Sequence, residues 1–257
     1  MISEYHRPET IKDALSLLAR TDVVTVPLGG GTVINRPSSE SFSVVDLQAL
    51  GLNQIKVESN QVSIGATVTL YQLGDWPEIA QPIKQAINLE GNFNLRQMAT
   101  IAGQLISANG RSALATAWLS LDARLVWEPG AKETSLGNWL PLRTRQKPGL
   151  LITALQYSSV PQLAFAYIAR SPADQPIVCA AVARWPSGRT RVALGGYGAA
   201  PVMVMDGPEF EGAVEASRDA HSHAGDEWAS AEYRQEMAAI LTQRCVDSLA
   251  TQSAERR

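Results

Sequence analysis

Apolar residues recur along the chain at two spacings, one typical of helices and one typical of strands. The first helical stripe follows Thr10, and the T-x-x-D pattern that Thr10 forms with Asp13 is typical of a helix N-terminus. Stripes of this spacing predict helices over residues 10–20, 70–76, 82–89, 112–121 and 231–249. Short β-branched runs predict strands over residues 23–28, 43–47, 55–58, 62–65, 124–127, 150–157, 163–169, 177–185 and 190–194.

The order of these elements predicts the fold class. Helices and strands are mixed up to about residue 155, whereas beyond it successive strands precede one long helix. Turn residues at Ser59-Asn60 and at Pro186-Ser187-Gly188 predict two hairpins. Segments rich in glycine, proline or polar residues are interpreted mainly as loops or connections, over 91–110, 129–149 and 217–228. We therefore predict an α+β protein with a boundary between about Tyr157 and Leu163.

The composition narrows the function classes. The 257 residues carry 25 acidic and 22 basic side chains, a formal net charge of −3, which argues against a strongly basic nucleic-acid binder. A mean hydropathy of −0.07 and the lack of a long apolar run exclude a membrane-spanning helix. The N-terminal sequence has neither the basic nor the apolar region of a secretory signal, so we expect a cytoplasmic protein.

The cysteines limit the chemistry that the chain can perform alone. Cys179 and Cys245 stand far apart without C-x-x-C spacing, whereas an iron–sulfur cluster normally takes four thiolates. We interpret both as small buried hydrophobic residues. The pair His221 and His223 lies in a polar connection, and we predict no metal site there. A redox function would therefore need an organic cofactor or metal centres on a partner.

A glycine loop, which we define as residues 28–32, has the most chemical promise. It reads Leu28-Gly29-Gly30-Gly31-Thr32 and directly follows a predicted strand. Glycines without Cβ atoms allow several backbone N–H groups to converge on a phosphate oxygen, and a threonine hydroxyl adds one more donor. A tight surface turn is the alternative interpretation. The dinucleotide fingerprint G-x-G-x-x-G, the P-loop and the hydrolase motifs G-x-S-x-G and H-E-x-x-H are all absent.

A second candidate segment covers residues 96–104 and combines a cation, a hydroxyl group, a glycine and an amide. These groups belong to Arg96, Thr100, Gly103 and Gln104. Two such segments far apart in sequence could hold the two phosphates of one dinucleotide from opposite sides. The alternative is a turn of small residues that lets two elements pack closely.

Motifs along nearly the whole chain occur in the order of one known family. The family's A-G-G-T corresponds to residues 29–32 and its R-x-x-A-T-I-G-G-N to residues 96–104. Further short matches occur at 8–18, 44–47, 62–66, 117–123, 193–196, 200–202 and 230–234. In this shared order the chain resembles the FAD-binding (medium) subunit of molybdenum hydroxylases, of the carbon monoxide dehydrogenase and xanthine dehydrogenase type.

The resemblance implies a two-subdomain FAD-binding fold, of the molybdopterin dehydrogenase and vanillyl-alcohol-oxidase-like type. It implies FAD-binding subdomains at 1–55 and 56–157 and a small α+β C-terminal domain at 160–257. Electrons would pass from [2Fe–2S] clusters of a small partner subunit, beside a large molybdopterin-binding subunit, through FAD to an acceptor. The implied cofactor-binding residues are Leu28, Gly29, Gly30, Gly31, Thr32, Val33, Arg96, Thr100, Ile101, Gly103 and Gln104, with no catalytic acid or base and no metal ligand.

Four positions depart from the family pattern. Ala102 and Gln104 stand where the family has glycine and asparagine, Ala113 replaces an aspartate, and Tyr167 replaces a lysine. These changes keep a second hypothesis open, in which the chain is a structural or binding subunit of the same fold that has lost FAD. A standalone flavin oxidase is a further alternative.

Overall fold

The computed structural model describes residues 1–34, 41–145, 148–172 and 174–255, and these mix helices with strands as the α+β prediction requires. The strands are β1 Ile2–His6, β2 Thr25–Leu28, β3 Phe42–Asp46, β4 Ile55–Glu58, β5 Gln61–Gly65, β6 Arg124–Glu128, β7 Lys132–Ser135, β8 Leu151–Ser158, β9 Gln162–Ile168, β10 Val178–Arg184, β11 Thr190–Gly195 and β12 Val202–Gly207. The α-helices are α1 Ile11–Leu18, α2 Leu70–Asp75, α3 Gln81–Asn88, α4 Phe93–Met98, α5 Ile101–Ser107, α6 Ala113–Ser120, α7 Leu136–Trp139, α8 Ala213–Ala220 and α9 Ala231–Glu255. Short 3-10 turns cover Gln48–Leu50 and Leu140–Arg145.

The chain divides into two units. Unit 1 comprises Met1–Asp75, Phe93–Ser107 and Arg124–Gln156, and unit 2 comprises Trp76–Asn92, Ala108–Ala123 and Tyr157–Arg257. Unit 2 thus takes in two segments that the sequence analysis placed in the second FAD-binding subdomain. The three domains at 1–55, 56–157 and 160–257 stay a prediction.

Unit 1 begins with a parallel three-stranded sheet in the order β1-β3-β2. Helix α1 buries Ala14 and Leu18 in a core cluster with Val45 of β3 and Leu151 of β8. The predicted N-terminal cap is confirmed, because the Thr10 hydroxyl oxygen accepts a hydrogen bond of 3.1 Å from the Asp13 N–H. Strand β2 ends at the glycine loop, so this sheet carries the loop on a rigid edge.

A five-stranded sheet in the order β4-β5-β8-β6-β7 forms the rest of unit 1, together with α2, α4, α5 and α7. The predicted hairpin of β4 and β5 is confirmed, with Ser59 at a positive φ of 56°. The prediction that 91–110 is mainly loop was wrong, because α4 and α5 occupy most of it. Glycine and asparagine suggested a loop, but Ile101 and Leu105 lie at helical spacing and are fully buried.

Unit 2 contains an antiparallel sheet in the order β12-β11-β10-β9 and the long helix α9. Apolar residues of β10 and β11 form one core with Ala238, Leu241, Cys245 and Leu249 of α9. Helix α6, every residue of which is buried, also contacts β10 and β11. The prediction of a bare connection before α9 was wrong in part, because α8 begins at Ala213 and extends to Ala220.

Both cysteines are buried in unit 2, as predicted. Cys179 lies in β10 and Cys245 in α9. Burial raises the pKa of each thiol to about 12, so both remain protonated and unreactive at neutral pH. Within the described residues, no helix is long and apolar enough to cross a membrane.

His221 follows α8, and its burial is expected to make the folded protein sensitive to acid. Its side chain is buried, and this burial lowers the pKa of the imidazole to about 4. An unfolded histidine has a pKa of about 6.5, so between these values the unfolded state binds more protons and stability falls as the pH falls. When the pH falls from about 7.5 to about 4.5, we expect the free energy of unfolding of the wild type to fall by about 2 kcal/mol more than that of a His221→Gln variant.

Urea unfolding at both pH values measures this difference. The matched control is His223→Gln, because His223 is exposed and its replacement should leave the pH dependence unchanged. Equal pH dependence in wild type and His221→Gln would show that His221 does not cause the acid sensitivity.

Candidate functional site

A cavity of about 760 Å³ lies within unit 1, a volume typical of small-molecule sites. Three parts of the chain line it: the segment from the end of α1 through β2 and the glycine loop, α5 with the residue before it, and the residues before β8. The lining is Leu18, Arg20, Thr21, Val23, Val24, Thr25, Val26, Pro27, Leu28, Gly29, Gly30, Gly31, Thr32, Val33, Ile34, Thr100, Gly103, Ile106, Ser107, Arg143, Pro148, Gly149 and Leu150. We refer to it as the unit 1 cavity.

The glycine loop packs directly against the 96–104 segment. A Cβ atom added to Gly29 would lie 2.6 Å from the Thr100 Oγ1, and one added to Gly30 would lie 1.6 Å from the Met98 carbonyl oxygen. Any larger residue at Gly30 would therefore collide with backbone. Gly31 has a φ of +70°, a left-handed conformation that glycine adopts without strain. The two candidate segments thus meet at one place, as the phosphate-binding hypothesis requires.

The backbone N–H groups of the glycine loop are available to a ligand. The N–H groups of Gly30, Gly31 and Thr32 donate no hydrogen bond to any residue in the described ranges. The Gly29 carbonyl, by contrast, accepts one of 3.3 Å from the Gln48 side-chain amide. Half-buried N–H groups on a cavity wall need water or an anion as acceptors, and converging ones form an anion-binding nest. These N–H groups could therefore donate to an anionic ligand bound in the cavity.

The 96–104 segment contributes only part of what the sequence suggested. Thr100 and Gly103 line the unit 1 cavity, and the Thr100 Oγ1 accepts a hydrogen bond of 3.3 Å from the Gly103 N–H. Ile101 and Gln104 are buried and do not line it, because the helical turn of α5 directs them to a different face. Arg96, half-buried on α4, does not line it either. The cavity thus gathers Leu28, Gly29, Gly30, Gly31, Thr32, Val33, Thr100 and Gly103 from the eleven predicted residues.

The apolar wall of the unit 1 cavity was missed by the sequence analysis. Val24 is 65% exposed and Leu150 36% exposed, and both line the cavity beyond the glycine loop. The β-branched run from 23 to 26 was the available signal, but it was interpreted only as a strand. Exposed aliphatic residues beside a nest provide a surface for a planar apolar ring, so the cavity combines the two requirements of a nucleotide site.

Two arginines on the lining were also missed. Arg20 donates to Glu4 at 2.6 Å and to Asp22 at 3.0 Å, and these contacts hold the pKa of both carboxyls below its usual range. Arg143 is anchored by a hydrogen bond of 2.8 Å from its Nη1 to the Leu140 carbonyl oxygen. The charge of Arg20 is offset by these two carboxylates, whereas Arg143 brings a positive charge to the lining, which favours an anionic ligand.

The four departures from the family pattern lie off this lining. Ala102 and Gln104 are buried in α5, and Ala113 is buried in α6. Tyr167 lies in β9 and stacks on Phe165 with ring centroids 6.0 Å apart. None of the four lines the unit 1 cavity, so these changes do not alter its lining residues.

Comparison with known proteins defines the family. Residues 1–157 match the model of the FAD binding domain in molybdopterin dehydrogenase, and the chain belongs to this family. The carbon monoxide dehydrogenase medium chain of Afipia carboxidovorans is 28% identical, with 95% of each chain covered. The Escherichia coli K12 protein YgfM is 27% identical, with 80% of this chain and 79% of YgfM covered.

Solved structures agree with this placement. A crystal structure of the Cu,Mo-CO dehydrogenase matches with a TM-score of 0.78 and 25% identity, covering 96% of this chain and 97% of that one. The fold prediction is confirmed by these matches, and so is the resemblance to a molybdenum hydroxylase FAD-binding subunit. Family membership supports FAD as the cofactor and an oxidoreductase as the broad class.

Proposed function

We propose that this chain is the FAD-carrying electron-transfer subunit of a molybdenum hydroxylase complex. Electrons would arrive from [2Fe–2S] clusters on a small partner subunit, after substrate oxidation on a large molybdopterin-binding subunit, and leave for an external acceptor. The observation that carries the proposal is the glycine loop, with its N–H groups unpaired among the described residues, on the wall of the unit 1 cavity. The similarity to a carbon monoxide dehydrogenase medium chain supports the assignment.

The residues of the unit 1 cavity fit an FAD dinucleotide. Gly30, Gly31 and Thr32 would donate backbone hydrogen bonds to the diphosphate, while Thr100 and Gly103 would bound it from the other side. Bound FAD supplies the ability to take up and release electrons, which no side chain of this chain provides. The chain's own part is to hold the dinucleotide, to exclude water with its apolar wall and to offset negative charge with Arg143.

Partner subunits follow from the same proposal. Neither buried cysteine can hold an iron–sulfur cluster alone, so such clusters would lie on another chain. Affinity purification of the chain at native abundance, followed by metal analysis, tests this. Molybdenum and iron should co-purify at fixed ratios, and a chain that purifies without either metal would contradict the proposed assembly. The cytoplasm is our proposed location.

The decisive test of cofactor binding is a titration of the purified chain with FAD, FMN and ADP. We expect FAD to bind at least about tenfold more tightly than FMN, because FMN lacks the second phosphate and the adenosine. Flavin fluorescence measures the two flavins, and displacement of FAD measures ADP. The protein–FAD complex should be yellow, with absorbance near about 450 nm.

A colourless chain that binds none of the three ligands would contradict the proposal. It would favour the second candidate, a structural subunit of the same fold that has lost FAD. Tight binding of FAD by a chain that associates with no partner would instead favour a standalone flavin oxidase.

A further inference from the structure

Gln48 connects the glycine loop to the first sheet of unit 1. The residue begins the short 3-10 turn after β3, and its Nε2 donates a hydrogen bond of 3.3 Å to the Gly29 carbonyl oxygen. At the neighbouring position, the Leu47 N–H donates to the Leu28 carbonyl oxygen at 3.0 Å. Two consecutive carbonyls at the end of β2 are therefore held from the same short turn.

The backbone of Gln48 is itself held in place by hydrogen bonds. The Gln48 backbone N–H donates a hydrogen bond of 2.9 Å to Oδ1 of Asp46, which is only 7% exposed. The other carboxylate oxygen of Asp46 accepts a hydrogen bond from the Tyr5 hydroxyl group, and Arg7 lies 3.8 Å from the same oxygen. Because the backbone of Gln48 is held in this way, only its side-chain torsions become ordered when it donates to the loop.

Because the peptide bond is planar, the hydrogen bond from Gln48 also fixes the direction of the next N–H group. In a planar trans peptide the carbonyl and the following N–H point in opposite directions, so the carbonyl of Gly29 and the N–H of Gly30 are coupled. When Gln48 holds the Gly29 carbonyl, the Gly30 N–H is held on the opposite side. That N–H donates to none of the described residues, and Gly30 lines the unit 1 cavity.

We propose that Gln48 is a positioning residue that orients the Gly30 N–H toward the diphosphate of the bound dinucleotide. This inference rests on the proposed function and deepens it. Because Gln48 is exposed and its hydrogen bond is neutral, its contribution to global stability is small. The hydrogen bond from Gln48 instead restricts the motion of the glycine loop and raises the affinity for FAD.

The test uses the full chain with Gln48→Leu, which removes the donor, and Gln48→His, which keeps a neutral N–H donor of similar reach. The control is Gln54→Leu, because Gln54 is also exposed and donates only a local hydrogen bond of 3.2 Å to Asn53 Oδ1. For each variant, ¹⁵N relaxation gives the order parameter of the Gly30 N–H without cofactor. Flavin fluorescence gives the FAD dissociation constant, and urea unfolding gives stability.

We expect Gln48→Leu to weaken FAD binding by about threefold to tenfold and to lower the Gly30 order parameter, while the unfolding midpoint stays unchanged. Gln48→His and Gln54→Leu should bind FAD within about twofold of the wild type. Unchanged FAD affinity in Gln48→Leu, whatever happens to the order parameter, overturns the inference and leaves the proposed function standing. A wild-type chain that does not bind FAD overturns both.

Discussion

Replacement of Arg234 by methionine is expected to lower the free energy of unfolding by about 2–4 kcal/mol. Arg234 is completely buried, and its Nη2 donates to Asp226 Oδ1 at 2.8 Å. Its other nitrogens donate to the carbonyls of Ile177 at 3.2 Å and Ala229 at 3.1 Å, and to that of Ala224. Methionine fills much of the same volume but donates nothing, so the carbonyls of Ile177 and Ala224 lose this donor. Asp226 and the Ala229 carbonyl keep backbone N–H donors.

The matched control for this prediction is Arg218→Met in the same unit. Arg218 pairs with Glu236 at 2.6 Å, but both side chains are about half exposed, at 48% and 53%. Such an ion pair contributes at most about 1 kcal/mol. Urea unfolding of both variants gives the comparison. Arg234→Lys keeps the charge, so its loss of free energy of unfolding should be smaller than that of Arg234→Met and larger than that of Arg218→Met. If Arg234→Met does not fold, Arg234→Lys is compared with Arg218→Met instead. Equal losses for Arg234→Met and Arg218→Met would contradict the structural role of Arg234.

The helix start at Ser230 shows how far local sequence could be taken. The motif S-A-E-Y-R predicted this start, and the Tyr233 N–H indeed donates to the Ser230 hydroxyl oxygen at 3.2 Å. The role of Arg234 in that motif could not be predicted, because its acceptor Ile177 lies far away in the sequence. Capping depends on residues three positions apart, whereas a buried ion network depends on the tertiary fold.

Several of the elements that the sequence did not predict have no clear hydrophobic period. β1 at Ile2–His6 and β12 at Val202–Gly207 have half-buried and exposed positions with little alternation in burial. Helix α4 was missed for a related reason, because Phe93 and Met98 are more than half exposed and none of its residues is buried. In such elements the pairing partner or the neighbouring helix fixes the structure, and the chain's own pattern carries little information.

The residues of the candidate site also include some that the sequence could predict and some that it could not. The glycine loop could be predicted because its chemistry lies in five consecutive residues. The lining contributed by Arg143 and Leu150 could not, because only folding brings them to β2. Gln48 also escaped notice, since an exposed glutamine has no distinctive pattern. The sequence therefore indicated the glycine loop of the proposed diphosphate site, but neither the other walls of the unit 1 cavity nor Gln48.

The largest functional effect is expected from Gly30→Ala, which should weaken FAD binding by about 100-fold or more, or about 2.7 kcal/mol. A Cβ at this position would lie 1.6 Å from the Met98 carbonyl oxygen and 2.4 Å from its carbonyl carbon. No rotamer change relieves a clash with backbone, so either the glycine loop or the Met98–Ala99 peptide must move. Either movement changes the position of the N–H groups of the glycine loop relative to Thr100.

The control that isolates this effect is Gly51→Ala. Gly51 has a φ of +68° with no atom within 4 Å of an added Cβ, and it lies outside the lining of the unit 1 cavity. Alanine there strains the backbone and lowers stability by about 1 kcal/mol, but it should leave the FAD dissociation constant unchanged. Flavin fluorescence titrations of both variants, each checked for folding by circular dichroism, separate lost binding from lost stability. A folded Gly30→Ala protein that binds FAD within threefold of the wild type would show that the diphosphate is bound elsewhere, because the close contact between Gly30 and Met98 leaves the loop no room to keep its place.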